Sequence, residues 1–223
     1  MIYLRLRRAG WHVNHKRVER LYREDGLSLR RKRRKKLRSH LRLAMPKPTR
    51  VNERWSMDFI SDALMSGRPL RCFVVVDDFS TEALAIEVDF SIPSPKVTKV
   101  LDGIAVKRGY PKRIRTDNGP EFTSIHFHAW CQEHGISLEH IEPGKPFQNA
   151  FAESFNGRFR DECLDENIFV SLGDAQRKIS AFRLEYNTQR PKNSLGGIPP
   201  REFALAHTSA IDEPRTKLLA GSK

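Results

Sequence analysis

Three acidic residues lie in local surroundings that suggest chemistry. Asp58 interrupts an otherwise apolar run at residues 55–59, Asp117 precedes an Asn-Gly pair, and Glu153 follows Asp117 after 35 intervening residues. An unpaired charge in an apolar strand costs free energy, so Asp58 needs a partner or a function. Carboxylates are the hard oxygen ligands that Mg²⁺ and Mn²⁺ prefer, and a pair of such ions can break and rejoin phosphodiesters. Three such acids can therefore hold a metal pair of this kind.

The spacing of these acids carries little weight by itself, because the chain has 27 Asp and Glu residues. Two structural alternatives stay open: a buried ion pair for Asp58, and capping of the Asn-Gly turn by Asp117. Asp77 and Asp78 are interpreted as residues at the exit of a strand, with a smaller chance of supporting the site. Glu121 is interpreted as a local cap or ion-pair partner.

Glu153 lies in a segment with helical spacing. Its phenylalanines recur every four residues, at Phe151, Phe155 and Phe159. That spacing buries one helix face and turns Glu153, Gly157 and Arg160 toward another. A glycine inside a helix costs stability, and close approach of a DNA strand would explain its presence.

Positive charge is concentrated at the start of the chain. Residues 1–50 hold 18 of the 40 Lys and Arg residues but three of the 27 acids, and residues 30–42 hold nine basic residues and no acid. Such a run resists folding alone and is typical of a linker that lies along DNA. A solvated or targeting tail is the alternative. The remainder is nearly neutral.

A helix-turn-helix-like segment is predicted before this run. The apolar residues before residue 10 form the end of one helix, Asn14 caps a second, and Gly26 ends it. Lys16, Arg17 and Arg20 suit phosphate or base contacts.

The cysteine pattern argues against a disulfide framework and a zinc site. Cys72, Cys131 and Cys163 are far apart and form no Cys-x-x-Cys pair. We expect reduced core residues in a cytoplasmic protein, since no apolar run reaches transmembrane length.

The body of the chain alternates strand and helix patterns. Strands are predicted at 55–64, 70–78, 83–88, 113–115 and 137–141, and helices at 95–109, 124–134 and 174–186. Residues 190–203 are predicted to be irregular.

Three local motifs together resemble the integrase core of bacterial insertion-sequence transposases, relatives of retroviral integrase. They are the run around Asp58, the sequence Thr-Asp-Asn-Gly-Pro-Glu-Phe at 116–122, and residues 144–158 around Glu153. The resemblance covers roughly residues 13–204. It implies an α/β, ribonuclease H-like integrase core with a mixed five-stranded sheet flanked by helices, preceded by a small helical segment. The expected divisions are residues 1–29, 30–50, 51–170 and 171–223.

The resemblance also implies residue roles. Asp58 would bridge two Mg²⁺ or Mn²⁺ ions, Asp117 and Glu153 would each bind one of them, and Arg160 would hold a phosphate. The expected DNA contacts are Lys16, Arg17, Arg20, Arg31, Arg33, Arg34, Lys145, Gln148, Asn149, Asn156 and Arg160. Lys192 stands where the family usually has His, and a basic residue there can still meet phosphate.

The implied activity is that of a DDE-type transposase, which cleaves DNA at the ends of an insertion sequence and transfers the strand. Its partners would be the inverted-repeat ends, target DNA, further copies of the chain and a protein from an overlapping upstream reading frame. A bacterial cytoplasmic, nucleoid-associated location would follow. Two other functions stay open: a DNA-binding, catalytically defective remnant acting as a regulator, and a metal nuclease without strand transfer.

Overall fold

The computed structural model describes residues 2–27, 47–141 and 150–208. Several predicted DNA contacts lie outside the described residues, namely Arg31, Arg33, Arg34, Lys145, Gln148 and Asn149.

A mixed five-stranded sheet forms the centre of the molecule. Its strands are β1 (Arg54–Ala63), β2 (Pro69–Asp77), β3 (Ala83–Asp89), β4 (Arg113–Thr116) and β5 (Ser137–His140), in the order β3-β2-β1-β4-β5. The first three strands form an antiparallel meander, whereas β4 and β5 run parallel to β1. The predicted succession of strands and helices along the chain and the mixed five-stranded sheet are confirmed, and β1 is the central strand.

Helices cover both faces of the sheet. They are α3 (Ser94–Arg108), α4 (Ile125–Glu133), α5 (Ala150–Phe159), a π-helical turn (Arg160–Leu164), α6 (Leu172–Thr188) and α7 (Pro200–Thr208). One apolar cluster joins Trp55 and Met57 of β1 to α3 and α4. The other joins Ile60 to α5, the π-helical turn and α6. Because side chains alternate along a strand, Asp58 shares the face of Ile60, on which α5 packs.

Side-chain caps fix where two of these helices begin. The hydroxyl of Ser124 accepts from the Phe127 amide at the start of α4, and that of Ser171 accepts from the Asp174 amide at the start of α6. Each cap satisfies one of the amides that a helix start leaves without an intrahelical partner.

The prediction of an irregular segment at 190–203 is wrong for its last residues. A bridge joins Lys192 to Ile198, a 3₁₀ turn spans Asn193–Leu195, and α7 begins at Pro200. Proline has no amide hydrogen to lose in the first turn of a helix, and Glu202 places a negative charge near the positive end of the helix dipole. Both features favour a helix start there.

The N-terminal segment forms two short helices, α1 (Ile2–Arg8) and α2 (His15–Glu24). The predicted cap is confirmed, since Asn14 Oδ1 accepts from the Lys16 amide at 2.9 Å. Neither helix contains a buried residue. Two exposed ion pairs connect α1 to the helices at the other end of the chain, Arg5 with Glu185 and Arg8 with Glu202, each at 2.7 Å.

Asp77 and Asp78 have the structural roles that were favoured for them. Asp77 accepts hydrogen bonds from the amides of Asn52 and Ser80. Asp78 forms a buried ion pair with Arg54 at 2.5 Å. Both carboxylates therefore fix the exit of β2 to its surroundings.

The three cysteines are buried and free, as predicted. Burial raises the pKa of the Cys72 and Cys131 thiols to about 12 and that of Cys163 to about 11, so all three are protonated at neutral pH. Among the described residues, none of the helices has the length and apolar character needed to cross a membrane.

Candidate active site

Asp58 lies in the middle of the central strand and is half-buried. Its Oδ1 accepts from the Phe59 amide at 2.8 Å, and its Oδ2 accepts from Asn156 Nδ2 at 2.7 Å. The second bond connects β1 to α5 and fixes the orientation of the carboxylate. Both bonds come from uncharged donors, so they do not provide the ion pair considered as an alternative for Asp58.

Asp117 follows the last residue of β4. Ser56 is aligned with Arg115 in the parallel pairing of β1 and β4. Extending this register by two residues on each chain places Asp117, just past the end of β4, level with Asp58 in the middle of β1. Asp117 is exposed, and its Oδ1 accepts from the Gly119 amide at 3.1 Å. The carboxylate therefore caps the Asn-Gly turn, as the structural alternative proposed, and also lies beside Asp58.

Because Gly119 has no side chain, it leaves room for the Asp117 carboxylate. A Cβ atom at this position would lie 3.1 Å from Asp117 Oδ1 and 3.3 Å from Glu121 Oε2. Glu121 itself pairs with Arg71 of β2, and the Arg71 guanidinium lies 4.2 Å from the centre of the Phe59 ring. Glu121 is thus an ion-pair partner, although its partner is distant in sequence.

Glu153 is presented by α5 as the phenylalanine spacing predicted. Phe155 and Phe159 are buried, whereas Glu153, Gly157 and Arg160 are exposed. Asn156, which contacts Asp58, lies three residues after Glu153 and therefore on a neighbouring part of the same helix face. Packing of the phenylalanine face thus orients the Glu153 face of α5 toward Asp58.

The charges of the three acids act on one another. The pKa of Asp58 is raised to about 6, chiefly by burial and further by the negative charges of Asp117 and Glu153. The bonds from the Phe59 amide and Asn156 oppose this rise. In the part of the chain that the structure describes, no group of three His, Cys, Asp or Glu side chains is close enough to hold a metal ion. The fold therefore brings the three acids into one electrostatic neighbourhood without direct convergence.

Arg160 lies at the far end of the same helix face. It opens the π-helical turn, is exposed, and its Nη2 donates to the carbonyl oxygen of Ser61 at 3.3 Å. Ser61 is three residues beyond Asp58 on β1. The guanidinium thus lies along the strand that carries Asp58 but does not contact the carboxylates.

Sequence reasoning did not predict the contact of Asn156 with Asp58, since Asn156 was expected to contact DNA. Its Oδ1 is buried and has no hydrogen-bond partner among the described residues. The signal available in the sequence was its position three residues after Glu153. The other predicted DNA contacts in the described residues, Lys16, Arg17 and Arg20, are exposed on α2.

Two sets of comparisons bear on this site. Residues 48–146 and 134–200 match the integrase core domain family, and residues 1–36 match an HTH-like domain family. The HTLV-2 integrase catalytic core domain, solved in complex with magnesium, has the same fold. It aligns with a TM-score of 0.57 and 19% identity, covering 70% of this chain and 98% of that one. Fold and site together define an α/β integrase core with an N-terminal helix-turn-helix-like segment.

Close relatives are encoded by bacterial insertion elements. The chain is 49% identical over 207 residues to a 31.7 kDa protein of insertion element IS407 from Burkholderia multivorans, covering 93% of this chain and 75% of that protein. It is 50% identical over 192 residues to a 39.2 kDa protein of insertion element IS476 from Xanthomonas euvesicatoria, covering 86% of this chain and 56% of that protein. The chain belongs to the insertion-sequence transposases with an integrase core. Such cores support polynucleotidyl transfer in general.

Proposed function

We propose that this protein is a DDE-type DNA transposase that cleaves a strand at the end of an insertion sequence and joins it to another strand. The observation that carries the proposal is the half-buried Asp58 of β1, whose carboxylate accepts from Asn156 of α5 at 2.7 Å and lies in the electrostatic neighbourhood of Asp117 and Glu153. The membership of the chain in the transposase family indicates which chemistry these three carboxylates would perform.

The donor set fits a pair of Mg²⁺ or Mn²⁺ ions. Asp58, Asp117 and Glu153 offer hard carboxylate oxygens, and the buried Asn156 Oδ1 adds an oxygen with no hydrogen-bond partner among the described residues. Asp117 and Glu153 are exposed, and their charges act on Asp58. When bound, the two ions would activate the attacking oxygen and stabilise the leaving oxygen. Solution of the HTLV-2 core with magnesium supports the same choice of metal.

Each residue of the candidate site would have a separate role in the reaction. Asp58, Asp117 and Glu153 would together hold the two ions, while Asn156 holds the Asp58 carboxylate in place. In the first step, water attacks phosphorus and the bond to the 3′ oxygen breaks, which leaves a 3′ hydroxyl. In the second step, that hydroxyl attacks phosphorus in another strand, and the displaced strand leaves with a 3′ hydroxyl of its own. Arg160 would hold a phosphate next to the reacting one.

DNA binding would come from the N-terminal part. The exposed Lys16, Arg17 and Arg20 of α2 suit phosphate or base contacts, and the HTH-like match supports that use. The basic run at 30–42 would follow the DNA backbone. We further propose assembly of several copies on paired ends, a partner protein from an overlapping upstream frame, and a nucleoid-associated location.

A single reaction separates the candidate functions. Purified protein would be incubated with labelled DNA carrying the element ends and Mn²⁺, and the products resolved on a denaturing gel. Joined products support the transposase. Cleavage without joining would indicate a nuclease, and binding without cleavage would indicate a regulatory remnant. Either of these two results contradicts the proposal.

A further inference from the structure

A cavity of about 640 Å³ lies beside α5, on the side of the helix that carries Phe151, Phe155 and Arg158. It is lined by α5, the end of α6 and the segment 190–194, and its lining includes Ser154, Arg158, Arg190 and Lys192. None of the described residues in its lining is Asp or Glu. The cavity is therefore basic, and it is wide enough for a phosphate group and part of a nucleotide.

Lys192 is held in position at the wall of this cavity. Its Nζ donates to Thr81 Oγ1 at 2.8 Å and to the Tyr186 hydroxyl, and it lies 4.6 Å from the centre of the Tyr186 ring. The Tyr186 hydroxyl in turn donates to the Thr81 carbonyl at 3.3 Å. An ammonium group has three N–H donors, so these two bonds leave one for a bound anion.

Positive charges outnumber negative ones among the described residues around the cavity. Burial, followed by the charges of Arg158 and Arg190, lowers the pKa of Lys192 to about 7. Arg190 is buried and pairs with Glu162, which also lies 3.6 Å from Arg158. The Glu162 carboxylate thus offsets part of the charge of these two arginines. An anion in the cavity would relieve the remaining repulsion among Arg158, Arg190 and Lys192.

The cavity lies on the side of α5 that faces away from Glu153. Glu153 and Arg158 are five residues apart, which is about 7.5 Å along the helix axis and about 140° around it, and Phe151 and Phe155 line the cavity. A phosphate bound there would lie on a different side of the helix from the three acids. Arg158 is half-exposed and opens toward solvent on this flank.

We propose that Lys192, Arg158 and Arg190 form a pocket for a phosphodiester group of bound DNA, on the side of α5 away from Glu153. The proposal rests on the proposed function for the identity of the DNA. A phosphate is the anion that DNA presents, and arginine and lysine donors bind it through charge-assisted hydrogen bonds. Lys192 would serve as a positioning residue, since it lies outside the carboxylate group.

Binding at this pocket would be coupled to proton uptake. Lys192 is faced by Thr81 from the β2–β3 loop, Tyr186 from α6, Arg158 from α5 and Arg190, while Glu162 is occupied with the two arginines. Since the free Lys192 has a pKa of about 7, it is mostly charged at pH 6 and mostly neutral at pH 8. A bound phosphate would raise that pKa. The contribution of Lys192 to DNA affinity therefore falls as pH rises from 6 to 8.

The test compares Lys192→Met with Lys99→Met, an exposed lysine on α3 across the sheet. DNA affinity of the full chain would be measured at pH 6 in EDTA over a salt series, so that binding is separated from cleavage. We expect Lys192→Met to bind roughly tenfold more weakly and to reduce the slope of log affinity against log salt by about 0.7–0.9. Lys99→Met should match wild type. Equal affinities and slopes for the two variants at pH 6 overturn the proposal.

Two further measurements test the pocket if Lys192→Met folds poorly, and test the protonation of Lys192. If Lys192→Met melts well below wild type, the half-exposed Arg158→Gln is compared with the exposed Arg177→Gln, and equal DNA affinities overturn the proposal. NMR of the Lys192 ammonium should show its pKa rising when DNA is added, and an unchanged pKa also overturns it. Loss of affinity in Lys192→Met without any strand cleavage by wild type would contradict the proposed function but retain the pocket.

Discussion

At the scale of single residues, the placement of Asp58 is energetically costly for the protein alone. The carboxylate is partly desolvated and faces the charges of Asp117 and Glu153, so its pKa is raised to about 6. A hydrogen bond from Asn156 compensates part of that cost. A bound cation would compensate more, because it adds an attractive charge to a carboxylate that the other two acids repel.

The three carboxylates are each expected to be indispensable for chemistry. Asp58→Asn, Asp117→Asn and Glu153→Gln should abolish cleavage because each removes a hard anionic ligand from the two-ion site. DNA affinity should stay close to wild type, since none of these residues is a proposed main contact to the backbone. Cleavage and binding would be measured on the same preparations. A variant that keeps more than about a tenth of wild-type activity, a loss under about 1.4 kcal/mol in barrier, has no metal role.

Arg160→Ala should impair strand transfer more than folding. Arg160 is exposed and donates a hydrogen bond to the Ser61 carbonyl. A charge-assisted phosphate contact is worth about 1.5–3 kcal/mol, or roughly one to two orders of magnitude in rate or affinity. An ordinary surface arginine would contribute under about 1 kcal/mol to stability and nothing to catalysis. Measurements of strand transfer and thermal melting on the same variant distinguish these two roles. Normal values of both would show that Arg160 is not part of the site.

The types and local motifs of the candidate site residues were predictable, but their contacts were not. Asp58 was identified because a charge in an apolar strand is costly, and Glu153 because the phenylalanines fixed its helix face. The bond from Asn156 to Asp58 joins residues 98 positions apart. The buried surroundings of Lys192 likewise depend on Thr81 and Tyr186, which only the folded chain brings together.

At the scale of elements, α5 connects the hydrophobic core to the candidate site. Phe155 and Phe159 are buried on one side, while Glu153 and Gly157 are exposed on the other. A Cβ at Gly157 would meet no atom of the described residues within 4 Å. The protein itself therefore does not require glycine at this position, although glycine weakens the helix.

Gly157→Ala is expected to stabilise the protein and impair its reaction with DNA. Alanine in place of an exposed helical glycine contributes about 0.5–1 kcal/mol, which corresponds to a rise in Tm of about 1–4 °C for a chain of this size. If a DNA strand approaches the helix here, the added methyl group would reduce strand transfer. Melting and strand-transfer assays on the variant would test both effects. A raised Tm with unchanged activity would show that DNA does not approach Gly157.

The spacing of hydrophobic residues predicted the helices and strands well where these residues recur at a regular interval. The meander, α3, β4, α4 and β5 lie close to their predicted positions. The last helix, α7, was missed because it is short and follows a segment rich in glycine and proline. Its position depends on packing against α6, which local spacing does not encode.

At the scale of the whole molecule, positive charge is concentrated in the N-terminal part of the chain. The N-terminal 50 residues hold 18 of the 40 basic residues, whereas the sheet and its helices form a nearly neutral body. Sequence composition alone predicted this division. It implies that most of the affinity for DNA comes from a region separate from the carboxylates.

Deletion of residues 30–42 should weaken DNA binding and flatten its dependence on salt. The run contains nine basic residues, and every phosphate that is no longer neutralised reduces the slope of log affinity against log salt by about 0.9 on duplex DNA. Replacement of the same residues by a Gly-Ser stretch of equal length is the control for reach. An unchanged slope in both variants would show that this run does not touch DNA.

Two ion pairs join α1 to α6 and α7, so that helices from the two ends of the described chain contact each other. Each of these pairs is about half exposed and is worth up to about 1 kcal/mol, and salt screens such pairs over a distance of about 10 Å at 0.1 M. A donor dye on α1 and an acceptor dye on α7 should therefore lose energy transfer as salt rises, well before the sheet unfolds. Constant transfer up to about 1 M salt, where the screening distance falls to about 3 Å, would mean that apolar packing holds α1 in place. Leu4 offers such packing beside Gly197, where an added Cβ would lie 3.3 Å from Leu4 Cδ2.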